Sequence, residues 1–168
     1  MSIRLPTASL ILAAAHAAAV SGTLAPPAGA QSDAEFLAAK AAYDKADRAA
    51  LDVLAPKLSG HVLEPYVRYW QLRLRLDATD AETIRAFLAR EAGGPLADEL
   101  RVAWLKSLAL RGQWETFGEE LGRTASEDTE LACLSAQYRR PREGDAALAA
   151  VKPLWFTGRS QPEACAPH

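Results

Sequence analysis

Leu63-Glu64-Pro65-Tyr66-Val67-Arg68-Tyr69-Trp70-Gln71-Leu72-Arg73-Leu74 is the stretch that decides the fold class. Its apolar residues recur at the period of a helix, so Leu63, Tyr66, Val67, Trp70 and Leu74 fall on one face. Pro65 suits the first turn of a helix, where its missing N–H costs no hydrogen bond. Glu64 and Arg68 form a favourable pair at positions i and i+4. The stretch therefore predicts an amphipathic helix.

The same apolar period continues on both sides of this stretch and predicts about eight helices between residues 31 and 168. Their expected starts are Asp33, Asp47, Pro65, Thr79 (in a capping box with Glu82), Pro95, Trp114 and Asp145, and Ser126 precedes the helix that carries Leu131 and Cys133. Pro153 is expected to end or kink the last helix. Helix pairs that recur about every 30 residues are typical of solenoids. We predict an all-α fold, an irregular α-solenoid or superhelix of antiparallel helix pairs, with a compact helical bundle as the alternative.

Composition places the chain among ordinary globular proteins. It has 168 residues, 49% of them hydrophobic, and a formal net charge of −2 from 19 basic and 21 acidic side chains. A nucleic-acid partner would require clustered positive charge, which this balance does not offer. The length suits one domain or part of a larger one.

Residues 1–30 are predicted to be a secretory signal peptide. Arg4 precedes an apolar run over residues 8–20, and the small residues Ala28-Gly29-Ala30 follow as an expected cleavage site. Cleavage after Ala30 would leave a helical domain of residues 31–168 with no membrane span; an uncleaved membrane anchor is the alternative. The run is shorter than the roughly 20 residues that cross a bilayer.

Two cysteines, Cys133 and Cys165, predict one disulfide, because an exported chain meets an oxidising compartment. A metal site that joins both of them to His168 is a weaker alternative, since structural zinc takes four ligands. A nucleophilic cysteine paired with His61 is weaker still. We predict no metal site and no cofactor.

Three pairs of adjacent carboxylates occur, at residues 98–99, 119–120 and 127–128. Neighbours on a helix point about 100° apart and do not converge on one bond, so we expect solvated side chains and no catalytic residue. Residues 139–142, Arg-Arg-Pro-Arg, are expected to form a solvated basic loop, with contact to an acidic partner as the alternative.

Aromatic side chains could stack on sugar rings or fill the core. Tyr66, Trp70, Trp104 and Trp114 occupy core-facing helical positions, so we expect burial for these four. For Tyr69 and Trp155 both uses stay open, and Leu154 and Trp155 are expected to pack beneath a bridge between the two cysteines.

Three stretches together resemble one protein family. They are residues 63–72, residues 100–105 with 111–114, and residues 154–165, the last reading Leu-Trp-Phe-Thr-Gly-Arg-Ser-Gln-Pro-Glu-Ala-Cys. In content and order they are similar to segments of the soluble lytic murein transglycosylases. The matching positions are Pro65, Tyr66, Arg68, Tyr69, Arg101, Trp104, Leu105, Trp114, Leu154, Trp155, Gly158, Ser160 and Pro162. Cys133 stands where that family has the partner of the second cysteine.

The resemblance implies a periplasmic bacterial protein whose partner is the glycan strand of peptidoglycan. Members of the family cleave the β-1,4 bond between N-acetylmuramic acid and N-acetylglucosamine without hydrolysis and leave a 1,6-anhydro sugar. In that family a ring-like superhelix precedes a lysozyme-like domain with one catalytic glutamate.

The sequence departs from the family pattern at its end. No Glu-Ser followed by Gly-Leu-Met-Gln occurs, and the only methionine is Met1. We therefore expect a truncated N-terminal superhelical part, separated from the C-terminal catalytic domain and inactive alone. The alternative is a stand-alone periplasmic scaffold that binds proteins.

Overall fold

The computed structural model describes residues 28–124, 126–156, 158 and 160–166. Most of the predicted signal peptide, residues 1–27, lies outside the described residues. Within them the chain is helical and contains no strand. The seven α-helices are α1 (Ala28–Asp44), α2 (Arg48–Leu54), α3 (Glu64–Arg73), α4 (Ala81–Arg90), α5 (Pro95–Leu110), α6 (Trp114–Leu121) and α7 (Thr129–Glu143). Four 3₁₀ segments span Ala55–Leu58, Gly144–Ala150, Lys152–Phe156 and Glu163–Cys165.

The helices stack in chain order. The odd-numbered helices contact one another in succession, α1 with α3, α3 with α5, and α5 with α7. Helix α2 packs on α1 and α3, α4 packs on α5, and α6 packs on α5 and α7. Contacts between neighbouring units are what a stacked helical solenoid requires.

Aspartate side chains begin three helices. Asp47, Asp80 and Asp128 accept hydrogen bonds of 2.8–3.0 Å from the backbone N–H groups of Ala50, Thr83 and Leu131. The cap expected at Thr79 is therefore wrong by one residue, whereas Ser126 precedes α7 as predicted. The Thr79 hydroxyl instead donates to the carbonyl oxygen of Arg75. Asp33 lies inside α1, which begins at Ala28, so it is not the predicted cap.

The last predicted helix is not an α-helix. The segment from Asp145 through Leu148 forms the 3₁₀ segment Gly144–Ala150, and Pro153 lies in the next one. Helix α7 ends at Glu143. The residue that follows it, Gly144, has a φ of 58°, which only glycine adopts readily.

The basic residues 139–142 lie in the last turns of α7, so the predicted loop is also wrong. The Arg142 guanidinium lies 4.9 Å from the centre of the Tyr138 ring. Such a contact holds the cation against the helix that carries it.

Burial of the tyrosines in α3 differs from the prediction. Tyr69 is 8% exposed, whereas Tyr66 is 40% exposed. Helix α3 contacts α1 on one side and α5 on another, so it buries more than one stripe of residues. Trp70 and Trp104 are buried and Trp114 is partly buried against the core, as the apolar period predicts.

Candidate functional site

A polar cleft opens between α3, α5 and the loop from α6 to α7. Its volume is about 660 Å³, inside the range of about 300–1,000 Å³ typical of ligand sites. The lining residues are Tyr69, Arg73, Asp98, Glu99, Val102, Ala103, Lys106, Arg123, Thr124 and Ser126. Tyr69 and the adjacent carboxylates at 98–99 are noticeable in the sequence, but their spacing does not place them at one site.

Tyr69 joins α3 to α5 at the cleft. Its hydroxyl donates to Glu99 Oε2 at 3.2 Å. Burial raises the pKa of Tyr69, and the negative charge of Glu99 adds to this rise, while a hydrogen bond with Arg73 partly opposes it. The hydroxyl therefore stays protonated at neutral pH and serves as a donor.

Lys106 closes one end of the cleft. Its Nζ lies 2.8 Å from Asp128 Oδ2 and 2.9 Å from Glu130 Oε2. Burial alone would lower the pKa of Lys106, but the hydrogen bonds with these two carboxylates outweigh it and raise the pKa. Because Asp128 also caps α7, this contact ties α5 to the start of α7.

A buried carboxylate lies behind the cleft. Glu120 is fully buried, which corrects the expectation that the pair at 119–120 is solvated. Three arginines from three elements contact it: Arg85 of α4 at 2.9 Å, Arg101 of α5, and Arg123 after α6 at 3.2 Å. Arg85 also reaches Glu119 at 2.6 Å. The hydrogen bond with Glu120 is the main cause of a raised pKa for Arg85, so the arginine stays charged.

One sequence signal does point to Glu120. It follows Phe117 by three positions, so both side chains lie on the same face of α6. Phe117 is fully buried, so this face of α6 is the one that packs against the other helices. Arg123 then connects this buried cluster to the wall of the cleft.

A disulfide joins Cys133 of α7 to Cys165, with a Cα–Cα distance of 5.1 Å. The predicted pairing is confirmed. The bond excludes both the metal alternative and a free nucleophilic cysteine, because neither thiolate is available. His61 instead stacks on Phe36, with ring centres 6.3 Å apart.

We call the described residues between 144 and 166 the C-terminal clasp. The clasp packs on α7 through a small core. This core consists of Cys133 and Ala136 of α7 together with Val151 and Cys165 of the clasp, and Leu154 packs against it. Gln137 Nε2 of α7 donates to the carbonyl oxygen of Ala164 at 2.6 Å. Trp155 is half exposed and does not pack fully beneath the bridge.

The motif residues serve different parts of the structure. Arg101 binds Glu120, and Trp104 lies under Arg85, whose guanidinium is 5.8 Å from the indole ring centre. Arg68 pairs with Glu64 at 2.6 Å. Pro65 lies in the first turn of α3, and Leu105 is fully buried in α5. Gly158, Ser160 and Pro162 precede the last 3₁₀ segment, whereas Thr157 and Arg159 lie outside the described residues.

The described part of the chain contains no group of three or more histidine, cysteine, aspartate or glutamate residues placed to hold a metal ion. None of its helices combines the length and the apolar character needed to cross a bilayer.

Comparison with known proteins gives a consistent result. The chain is 30% identical over 131 residues to the soluble lytic murein transglycosylases of Escherichia coli strain K12 and Salmonella typhimurium strain LT2. The chain is homologous to the soluble lytic murein transglycosylases. The match covers 75% of the chain but only 20% of each relative's length. No protein-family model matches the chain.

Solved structures of a lytic transglycosylase share the fold of this homologue. The complex of the 70-kDa soluble lytic transglycosylase with bulgecin A matches 81% of the chain with a TM-score of 0.64 and 26% identity. The crystal structure of the Escherichia coli 70-kDa enzyme matches 82% of the chain with the same TM-score and 25% identity. In both cases the match covers 22% of the solved chain. The predicted all-α superhelical fold is therefore confirmed, and the compact bundle is excluded.

Proposed function

We propose that this chain forms the N-terminal superhelical part of a periplasmic lytic transglycosylase that acts on peptidoglycan. The observation that carries the proposal is the homology over 131 residues, which spans most of the described helices. In the relatives this activity belongs to a chain about five times as long as the matched part. The role assigned to the present residues is therefore to contact glycan strands and position them.

The described residues support a role without catalysis. Asp98 and Glu99 both line the cleft, but both are exposed, and Glu99 is held by Tyr69. A general acid of a glycosidase needs a desolvating pocket that favours its protonated form. Glu120 is fully buried and its carboxylate is bound by three arginines, so it is not presented to a ligand in the cleft.

Binding to purified peptidoglycan sacculi tests the proposal. The purified chain should sediment with sacculi and should release no 1,6-anhydro-muropeptides, as measured by chromatography of the supernatant. A chain that stays in the supernatant with sacculi would overturn the proposed contact. Release of anhydro products would overturn the non-catalytic role.

Export is the second part of the proposal. Expression of the full chain in a Gram-negative host should give a periplasmic product whose first residue is Gln31. Amino-terminal sequencing of the periplasmic fraction measures this directly. A product that keeps Met1 and stays with the membrane fraction would contradict cleavage and favour the membrane anchor.

A further inference from the structure

We propose that the cleft between α3, α5 and the α6–α7 loop binds an uncharged, N-acetylated glycan segment. This inference rests on the proposed function and deepens it, because it assigns the contact with peptidoglycan to one site and to the sugar chain. Four observations carry it: the available hydrogen-bonding groups, the apolar floor, the balance of charge and the size of the cleft.

The cleft offers donors and acceptors that the fold has not consumed. Within the described part of the chain, neither Arg73 nor Asp98 forms an ion pair, and Arg73 keeps further N–H donors beside the hydrogen bond that it makes with Tyr69. The hydroxyl oxygens of Thr124 and Ser126 accept bonds from the backbone N–H groups of Ser126 and Asp128, so their protons can be donated to a ligand. A sugar hydroxyl both donates and accepts, and an N-acetyl group does the same through its amide.

An apolar surface lies between these polar groups. Val102 and Ala103 of α5 line the cleft together with Tyr69, whose ring is held in place by the bond to Glu99. The C–H face of a pyranose ring can pack on such a surface while its hydroxyls reach the polar rim. Tyr69 is 8% exposed, so its own contribution to this surface is small.

Charges of both signs line the cleft. Arg73, Lys106 and Arg123 contribute positive charge, and Asp98 and Glu99 contribute negative charge. Lys106 is offset by its own two carboxylate partners, and Arg123 binds Glu120. A polyanion would meet repulsion from the carboxylates, whereas an uncharged glycan would not. Binding should therefore depend weakly on salt, unlike binding to phosphate polymers.

A second cavity, of about 520 Å³ beside Trp114, is less suitable. Its polar groups already serve the fold, since Asp80 caps α4 and Arg111 donates to the carbonyl oxygens of Ser107 and Asp77. Trp114 itself packs on Phe117 and Tyr138. The cleft between α3 and α5 has both the space and the unused groups.

Titration of the full chain with tri-N-acetylchitotriose tests the inference. Amide signals of Val102, Lys106 and Thr124 should shift in heteronuclear NMR spectra, whereas those of α1 and α2 should not. Arg73→Ala and Asp98→Ala should each weaken binding about tenfold or more, as expected when a charged partner of a hydrogen bond is removed. The matched controls Arg48→Ala and Asp77→Ala change exposed residues outside the cleft and should bind as the parent does.

The same variants separate the inference from the proposed function when sedimentation with sacculi is measured. If the parent chain fails to sediment, the proposed function fails. If the parent and both cleft variants sediment equally, the chain binds peptidoglycan elsewhere and the cleft inference is wrong. Shifts confined to residues outside the cleft, or no binding of the trisaccharide by a chain that does sediment, would also overturn it. Thermal unfolding of each variant checks that the fold is retained.

Discussion

The helical body and the C-terminal clasp are stabilised in different ways. In the body, α1 to α7 surround one large apolar cluster, and Glu120 links three helices through arginines. The clasp consists of 3₁₀ segments, and two of the four buried residues in its core are cysteines. Short 3₁₀ segments have poorer hydrogen bonds than α-helices and bury less surface. Where packing is limited, the covalent bond supplies the stability that helix packing supplies elsewhere.

The largest expected effect concerns the body. Glu120→Gln keeps the shape of the side chain but leaves Arg101, which is 14% exposed, without its buried carboxylate partner. Removing one member of a buried ion pair costs about 3–5 kcal/mol. Urea unfolding should show a loss of this size in the free energy of unfolding.

Glu119→Gln is the matched control, because Glu119 is an exposed neighbour that contacts only the Arg85 side of the cluster. An exposed ion pair contributes about 0–1 kcal/mol. Equal losses for the two variants would show that burial of Glu120 does not matter for stability.

The next effect concerns the clasp. Replacing both cysteines by alanine opens a loop whose ends are 32 residues apart. In the chain-entropy description this costs about 3–4 kcal/mol. Native-state hydrogen exchange should show the loss at amides of the clasp, while amides of α4 and α5 keep their protection. A uniform loss across both regions would contradict the difference between body and clasp.

A substitution at the close contact between α6 and α7 should change the free energy of unfolding by a smaller amount. A Cβ atom at Gly118 would lie 2.0 Å from the Tyr138 hydroxyl oxygen and 2.5 Å from its Cζ. The Tyr138 ring is held between Trp114, Phe117 and Arg142, so it cannot move away freely. Gly118→Ala should therefore lower the free energy of unfolding by about 1–3 kcal/mol.

Gly122→Ala serves as the control for this clash, since no heavy atom lies within 4 Å of the added carbon. Combining Gly118→Ala with Tyr138→Ala should remove the clash, so the two losses should not be additive. If the losses in the free energy of unfolding of the two single variants add up fully in the double variant, the steric explanation is wrong.

The smallest expected effect on the free energy of unfolding depends on pH. It concerns the ion pair between Lys106 of α5 and Asp128, which caps α7. Burial alone would raise the pKa of Asp128, but the hydrogen bonds from Lys106 and the Leu131 N–H outweigh it and lower the pKa. A carboxylate with a lowered pKa stabilises the fold above its unfolded pKa of about 3.9. This contribution is lost as the pH falls through the folded pKa.

Asp128→Asn keeps a capping oxygen but loses the charge. It should cost about 0.5–1 kcal/mol at pH 7, because the pair with Lys106 is partly exposed. The difference from the parent should shrink as the pH falls through the folded pKa of Asp128, because the parent then loses the charge that the variant lacks. Urea unfolding at pH 7 and at acidic pH measures this, and a constant difference would falsify the assignment to charge.

Much of the helical framework could be predicted from single residues and their spacing. The start of α2 at Asp47 and the Pro65 turn of α3 follow from local backbone chemistry, which needs no distant partner. The one-residue error at Thr79 arises because two polar residues in succession could cap α4. The helix predicted from Asp145 is wrong for another reason. That segment packs against α7 and the small core around the disulfide, and the local sequence does not show these contacts.

The sequence alone determined the helical period, the apolar stripe of each helix and the pairing of Cys133 with Cys165, because each depends on local spacing or on there being one possible partner. Only the tertiary structure decided that Glu120 is buried, that Tyr69 is more buried than Tyr66, and that Arg73 and Asp98 face one cleft. The apolar period shows that a helix has a buried face but does not show which neighbours cover its other sides. The three arginines around Glu120 lie up to 35 residues away in sequence, and only the stacking of α4, α5 and α6 brings them together.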